Sequence, residues 1–166
     1  SQGLNRLDVS TQMEIFRSSE EIPIENFREN HPAAERLKSG VTNHGFSQKV
    51  FYLKADFADV PTDQPYFIEL QFPLLNHVEF LVQGNAASKI ITGNRELFSS
   101  RTYFDRKFRF RVPAGSSTAV LKIRSESNMI LAAEVLGENA VARQTITEYL
   151  LFGIYVGIIT VMVLYN

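Results

Sequence analysis

The sequence predicts an all-β sandwich followed by a C-terminal transmembrane helix, and three observations predict it. Apolar and polar residues alternate from Val41 to Val135, turn-forming clusters interrupt the alternation, and the chain closes on an uncharged run of seventeen residues from Tyr149 to Tyr165. Period-two alternation puts every second side chain of a strand on one face. Short strands of this kind, separated by turns at intervals of roughly ten residues, indicate two packed sheets with one face of each buried and the other solvated. A helix needs about 20 apolar residues to cross the hydrocarbon core, with a lower limit of about 17, so the last run sits at the short end of a membrane span.

Length and charge set the outer bounds. The 166 residues divide into one ordinary domain over 1–145 and the helix over 146–166. That head is long enough to enclose a hydrophobic core. Net charge is −1, from 17 basic and 18 acidic residues, which gives no field for gripping a polyanion and excludes nucleic acid as an expected partner. There are no cysteines, so neither a disulfide scaffold nor a cysteine-rich zinc site is available. The opening Ser1-Gln2-Gly3 fits both a mature exported chain and an expression remnant.

The first strand is expected at residues 12–16, where Met13 and Ile15 alternate with polar neighbours. Pro23 fits the first position of a short helical turn over 22–28, and a second turn is expected around residues 33–37. Five longer strands follow. Phe51, Leu53, Ala55 and Phe57 define one inward set, Tyr66, Ile68, Leu70 and Phe72 the next, and Val78, Phe80 and Val82 a third. Phe104, Phe108, Phe110 and Val112 define a fourth, with Asp105 and Arg106 blurring its start, and Ala119, Leu121 and Ile123 a fifth. Leu131, Ala133 and Val135 complete the series, and the thirteen phenylalanines supply core volume. Turn residues separate these runs at 59–65, 83–85, 92–94, 113–117 and 125–128. Residues 140–145 are helix-compatible and lead into the span.

Within the span, Gly153 and Gly157 form a G-x-x-x-G pair, which removes two side chains from one helix face and lets another helix approach; chance spacing in an apolar run gives the same pair. Tyr149 and Tyr165 lie at its two ends, where amphipathic rings favour the headgroup level. The competing reading of a helix buried inside a soluble domain requires protein on every side of it.

The order of elements resembles a known family. The segments that carry the likeness are Phe152-Gly153-x-Tyr155-x-Gly157 with Leu164-Tyr165-Asn166, Asn43-His-Gly45-Phe46-Ser47, Leu75-Asn76-His77-Val78-Glu79-Phe80, and Gly93-Asn94 followed by Arg101. Together they resemble the second type of extracellular sensor domain of the bacterial seven-transmembrane receptors with diverse intracellular signalling modules (7TMR-DISM), over nearly the whole chain from Ile15. The resemblance implies a jelly-roll β-sandwich like those of carbohydrate-binding modules, facing the periplasm from the inner membrane of a Gram-negative bacterium. It also implies further membrane helices and a cytoplasmic output such as a histidine kinase (a two-component system) or a diguanylate cyclase. The family usually carries a tryptophan and, two residues later, an arginine on the first long strand; Tyr52 and Lys54 stand there in this chain.

The candidate ligand site is the non-core face of one sheet, where Tyr52, Lys54, Arg101, Tyr103, Arg109 and Arg111 are expected to gather. Aromatic faces stack on the C–H faces of sugars and flanking polar groups fix their orientation, while Arg suits planar anions. The plainer reading is a solvated face in which Lys107, Arg109, Arg111, Lys122 and Arg124 are balanced by Glu69 and Glu79. Asp56, Asp59 and Asp63 are calcium candidates near a turn, without EF-hand spacing, and His44 and His77 are sparse for zinc. No cofactor is called for. Gly45-Phe-Ser-Gln-Lys49 lacks the second glycine of a nucleophile elbow, and no spacing argument pairs Asp56, Glu69 or Glu79 for glycoside hydrolysis. The expected role is ligand sensing at the membrane, with a glycan or other periplasmic ligand; the alternatives are a dimerisation module, with an identical copy or another sensor domain as partner, and a calcium-responsive domain.

Overall fold

The computed structural model describes residues 13–28, 31–37, 43–57, 64–83, 85–103, 105–126 and 128–165, with 85–87 as backbone alone. Eleven strands and one long helix are formed: β1 (Met13–Ser18), β2 (Ala34–Leu37), β3 (Asn43–Phe46), β4 (Val50–Asp56), β5 (Tyr66–Leu70), β6 (His77–Val82), β7 (Asn85–Thr92), β8 (Phe108–Val112), β9 (Thr118–Arg124), β10 (Asn128–Ile130), β11 (Ala133–Gly137) and α1 (Glu138–Tyr165). All pairings are antiparallel. The large sheet has the order β2-β1-β4-β9-β6-β7, the small sheet β11-β5-β8, and β3 pairs with β10 beside them.

The two main sheets pack face to face, as the alternation requires. Phe51, Leu53 and Ala55 of β4, Leu121 and Ile123 of β9, and Val78 and Phe80 of β6 meet Ile68, Leu70, Phe108, Phe110 and Val135 of the small sheet in one buried cluster. Phe80 stacks on Phe110 across the layers, with centroids 5.0 Å apart. The tight β8–β9 turn places Gly115 at φ +78, a left-handed value that glycine adopts without a Cβ penalty.

The faces turned away from this core are largely covered, with Arg111 and Arg124 left exposed, which corrects the expectation of a solvated face. Residues 19–28 lie across the outer face of the large sheet, where Ile22, Ile24 and Phe27 join Phe16, Val50, Tyr52, Leu81 and Val120 in a second buried cluster. Pro23, at φ −54, initiates the short 3₁₀ turn Ile24–Asn26 that shapes this strap. The outer face of the small sheet is partly covered by Tyr103, Asp105 and Lys107 and by the first turns of α1.

Four elements differ from expectation. Residues 34–37 form β2 instead of a helical turn, because they pair with β1 from Ile15↔Leu37 to Ser18↔Ala34. Strand β8 starts only at Phe108, after a 3₁₀ turn over Phe98–Ser100 and a loop. Residues 128–137 split into β10 and β11. Strand β7 is an edge whose register shifts between Phe80 and Val82, so its apolar alternation is weak.

Helix α1 follows β11 directly and runs unbroken to Tyr165. It is long and apolar enough to cross a membrane. It contacts β11 and β5, so it turns back at Gly137 and descends the outer face of the small sheet before leaving the head.

Candidate functional site

The six expected ligand residues divide between opposite sides of the head. Tyr52 and Lys54 project from β4 on the outer face of the large sheet, whereas Arg109 and Arg111 project from β8 on the outer face of the small sheet. Tyr52 is fully buried under the strap. Its hydroxyl accepts a hydrogen bond from the Ile22 N–H and donates one to the Ile22 carbonyl, each at 2.8 Å, and its ring stacks on Phe27 at 4.5 Å. A side chain satisfied at both ends of its hydroxyl holds the strap, and the expected aromatic platform on that face is corrected accordingly. Lys54 is mostly buried, with Nζ 3.9 Å from Asp56 Oδ2. Asp59 and Asp63, the other calcium candidates, lie outside the described residues, and among the described residues no cluster of three metal-ligating side chains is found.

Arg101 organises the loop before β8. Its guanidinium lies 4.3 Å from the centroid of Phe108 and 5.0 Å from that of Phe98, and Nη1 donates to the carbonyls of Asp105 (2.7 Å) and Arg106 (2.9 Å). Its charge is therefore committed to loop structure rather than displayed. Two of the segments that carry the family resemblance meet at the base of this loop. A Cβ on Gly93 would lie 2.2 Å from the Asn76 carbonyl oxygen, Asn94 N–H donates to Leu75 O at 2.8 Å, and Asn76 Oδ1 accepts from Ser125 Oγ and Glu126 N–H. Tyr103 is half-buried and meets Phe67 edge-on at 5.7 Å. Arg111 is the exposed neighbour of Phe67 across the β5–β8 ladder, so Tyr103 and Arg111 flank the same ring.

Two ionic networks that alternation alone did not reveal fix the coverings. On the large sheet, Glu79 and Lys122 are cross-strand neighbours. Lys122 Nζ donates to Glu79 Oε1 and to Glu21 Oε1 of the strap, both at 2.7 Å. His77 Nε2 lies 3.2 Å from Glu79 Oε1, and Lys89 bridges Glu79 at 3.4 Å and Glu25 at 2.6 Å. Burial opposes the charge on Lys122, but the hydrogen bonds to Glu21 and Glu79 outweigh it and hold its pKa above the ordinary lysine value. Burial likewise pushes Glu79 up, and the hydrogen bonds from Lys122 and His77 overcome it, leaving the carboxyl below its usual value.

On the small sheet the network joins the head to α1. Glu69 of β5 is completely buried. Its Oε2 accepts from Arg109 Nε (3.1 Å) and Nη2 (2.7 Å), and Arg109 also reaches Asp105 at 3.2 Å. The other oxygen, Oε1, lies 3.1 Å from Lys107 Nζ and accepts from Gln144 Nε2 of α1 at 3.4 Å. Lys107 donates in turn to Glu148 of α1 at 3.0 Å. Burial opposes the Lys107 charge, yet the bonds to Glu148 and Glu69 keep its pKa raised. The junction between head and helix is thus an exposed charge-assisted hydrogen bond, from Lys107 to Glu148, beside the Gln144 contact to the buried Glu69, and such bonds depend steeply on distance and angle.

A two-layered β head whose last strand passes into a long apolar helix, with that helix tied to the outer sheet face through the Lys107–Glu148 and Glu69–Gln144 contacts, has the build of a membrane-anchored head domain. The sequence model of the 7TMR-DISM extracellular 2 domain matches residues 10–136, and the chain belongs to this family of extracellular sensor domains of membrane receptors. No curated protein matches the chain.

Proposed function

We propose that this chain is the periplasmic ligand-sensing head of a bacterial receptor, and that it passes ligand state to the membrane through the ionic junction on the small sheet. Membership of the sensor-domain family carries the reading. The Glu69-Lys107-Glu148 chain supports the route, because it connects the sheet face bearing Tyr103 and Arg111 to α1. The proposed ligand is a carbohydrate or another small molecule with an anionic group. Tyr103 offers a ring for stacking, and the exposed Arg111 offers bidentate hydrogen bonds. A ligand that favours one arrangement of this face over another shifts the population of helix positions by its difference in affinity. The output is a kinase or cyclase module in the cytoplasm, with α1 as the first of several membrane helices.

Glycan-array screening and calorimetry on the detergent-solubilised chain test the ligand. Tyr103→Ala combined with Arg111→Ala is expected to abolish binding, whereas Lys54→Ala, on the opposite face, leaves it unchanged. Affinity unaffected by the double replacement removes this face as the site.

A further inference from the structure

The large apolar side chains that the head exposes, among the described residues before α1, are Phe46, Leu74, Ile91, Leu97 and Phe98. Their positions share one property. Residues 71–76 follow the end of β5 and lead into β6, and residues 93–107 connect the end of β7 to the start of β8. The register places Leu70 beside Phe108, Val78 beside Thr92, and His77 beside Arg124, so these loops share one end of the sandwich. Ile91 is the penultimate residue of β7, and Phe46 closes β3 just before β4 begins at that end. The 93–107 loop is tied to the 71–76 loop by hydrogen bonds from Asn94 to Leu75 and from Arg95 to Asn76. At the opposite end, the β8–β9 turn exposes Pro113, Ala114 and Gly115 instead.

That apolar end is also where α1 departs. The helix begins at the far end, beside Tyr66, passes Glu69 at Gln144 and reaches Lys107 at Glu148. The uncharged run starts one residue later, at Tyr149. Phe98 belongs to the same corner, since Arg101 spans the rings of Phe98 and Phe108, and Phe108 follows Lys107 in the chain. We infer that the Leu74 and Leu97–Phe98 loops form a lipid-docking tip, which inserts these side chains among the headgroups of the bilayer that α1 enters. The occupant is the bilayer surface because the continuous helix fixes which end of the head meets it, and exposed apolar side chains on loop tips gain by leaving water there.

The inference rests on α1 crossing a bilayer, and the absence of tryptophan allows both to be tested with single fluorescent probes. Leu97→Trp, Ala114→Trp and Val156→Trp are each placed in the full chain and reconstituted in phosphatidylcholine vesicles, with and without lipid brominated near the headgroup end of its acyl chains. The expected result is blue-shifted, bromine-quenched emission for the Leu97 and Val156 probes and unquenched, red emission for the Ala114 probe. Quenching at Val156 but not at Leu97 overturns the docking tip alone. A blue shift at Leu97 without quenching assigns the tip to a second copy of the chain and also overturns lipid docking. No quenching at Val156 overturns the span, and the tip with it.

Discussion

Glu69 shows what a single side chain contributes here. It is a carboxylate with no exposed surface, flanked by Arg109 and Lys107 and bonded to α1 through Gln144. Removing one member of a buried ion pair leaves its partner's charge uncompensated, at a cost of about 3–5 kcal/mol. Glu69→Gln leaves Arg109 its Asp105 and Lys107 its Glu148, so it is expected to destabilise the head by less, about 1.5–3 kcal/mol in a denaturant titration, and Arg111→Gln, at an exposed site on the same strand as Arg109, by less than about 0.5 kcal/mol. Tyr52 makes a different case. Tyr52→Phe keeps the stacking on Phe27 but leaves the Ile22 N–H and carbonyl unpaired beneath the strap, which costs about 1–3 kcal/mol. Proteolysis within 19–28 should accelerate in that variant.

Among elements, the strap adds charges to its apolar cluster and the first turns of α1 are tied by polar contacts, whereas the sheets meet through apolar contact. Their responses to pH differ accordingly. The Glu79 and Glu21 carboxyls are held below the ordinary carboxylate value in the folded state, so their contribution is fully present above the unfolded pKa of about 4.3 and is lost as pH falls through the lower folded values. Lys122, held above the ordinary lysine value, contributes below pH about 10.4 and loses its contribution as pH rises through its folded pKa. Hydrogen exchange in the strap is expected to rise at both extremes, before exchange in β4 and β9 does. The strands themselves were legible because alternation reports burial on the inner face: Phe51, Leu53, Phe80, Leu121 and Ile123 all point where the pattern puts them. The coverings were not legible, because their contacts join residues far apart in sequence. Lys122 meets Glu21 across 101 positions and Gln144 meets Glu69 across 75, and no local pattern encodes such pairs. Strand β2 was missed for the same reason, since Ala34–Leu37 becomes a strand only by pairing with β1.

For the molecule as a whole, the connection between head and helix has, among the described residues, three parts in parallel: the covalent passage at Gly137, the Gln144 contact to Glu69 and the ionic contact at Lys107 and Glu148. Lys107→Ala removes the ionic contact and leaves the other two. The expected outcome is a folded head with unchanged exchange in β5 and β8 but faster exchange over residues 138–148 of α1. Unchanged protection there would show that the ionic contact does not hold the helix. Gly137 and Glu148 are eleven residues apart, about 16 Å at the helical rise. Because α1 starts beside Tyr66 while the side-chain contacts lie further along it, breaking both of them leaves the helix joined to the sandwich at Gly137 alone, like a door hung from its upper corner. A small rotation at that corner becomes a larger displacement at Tyr149, where the uncharged run begins.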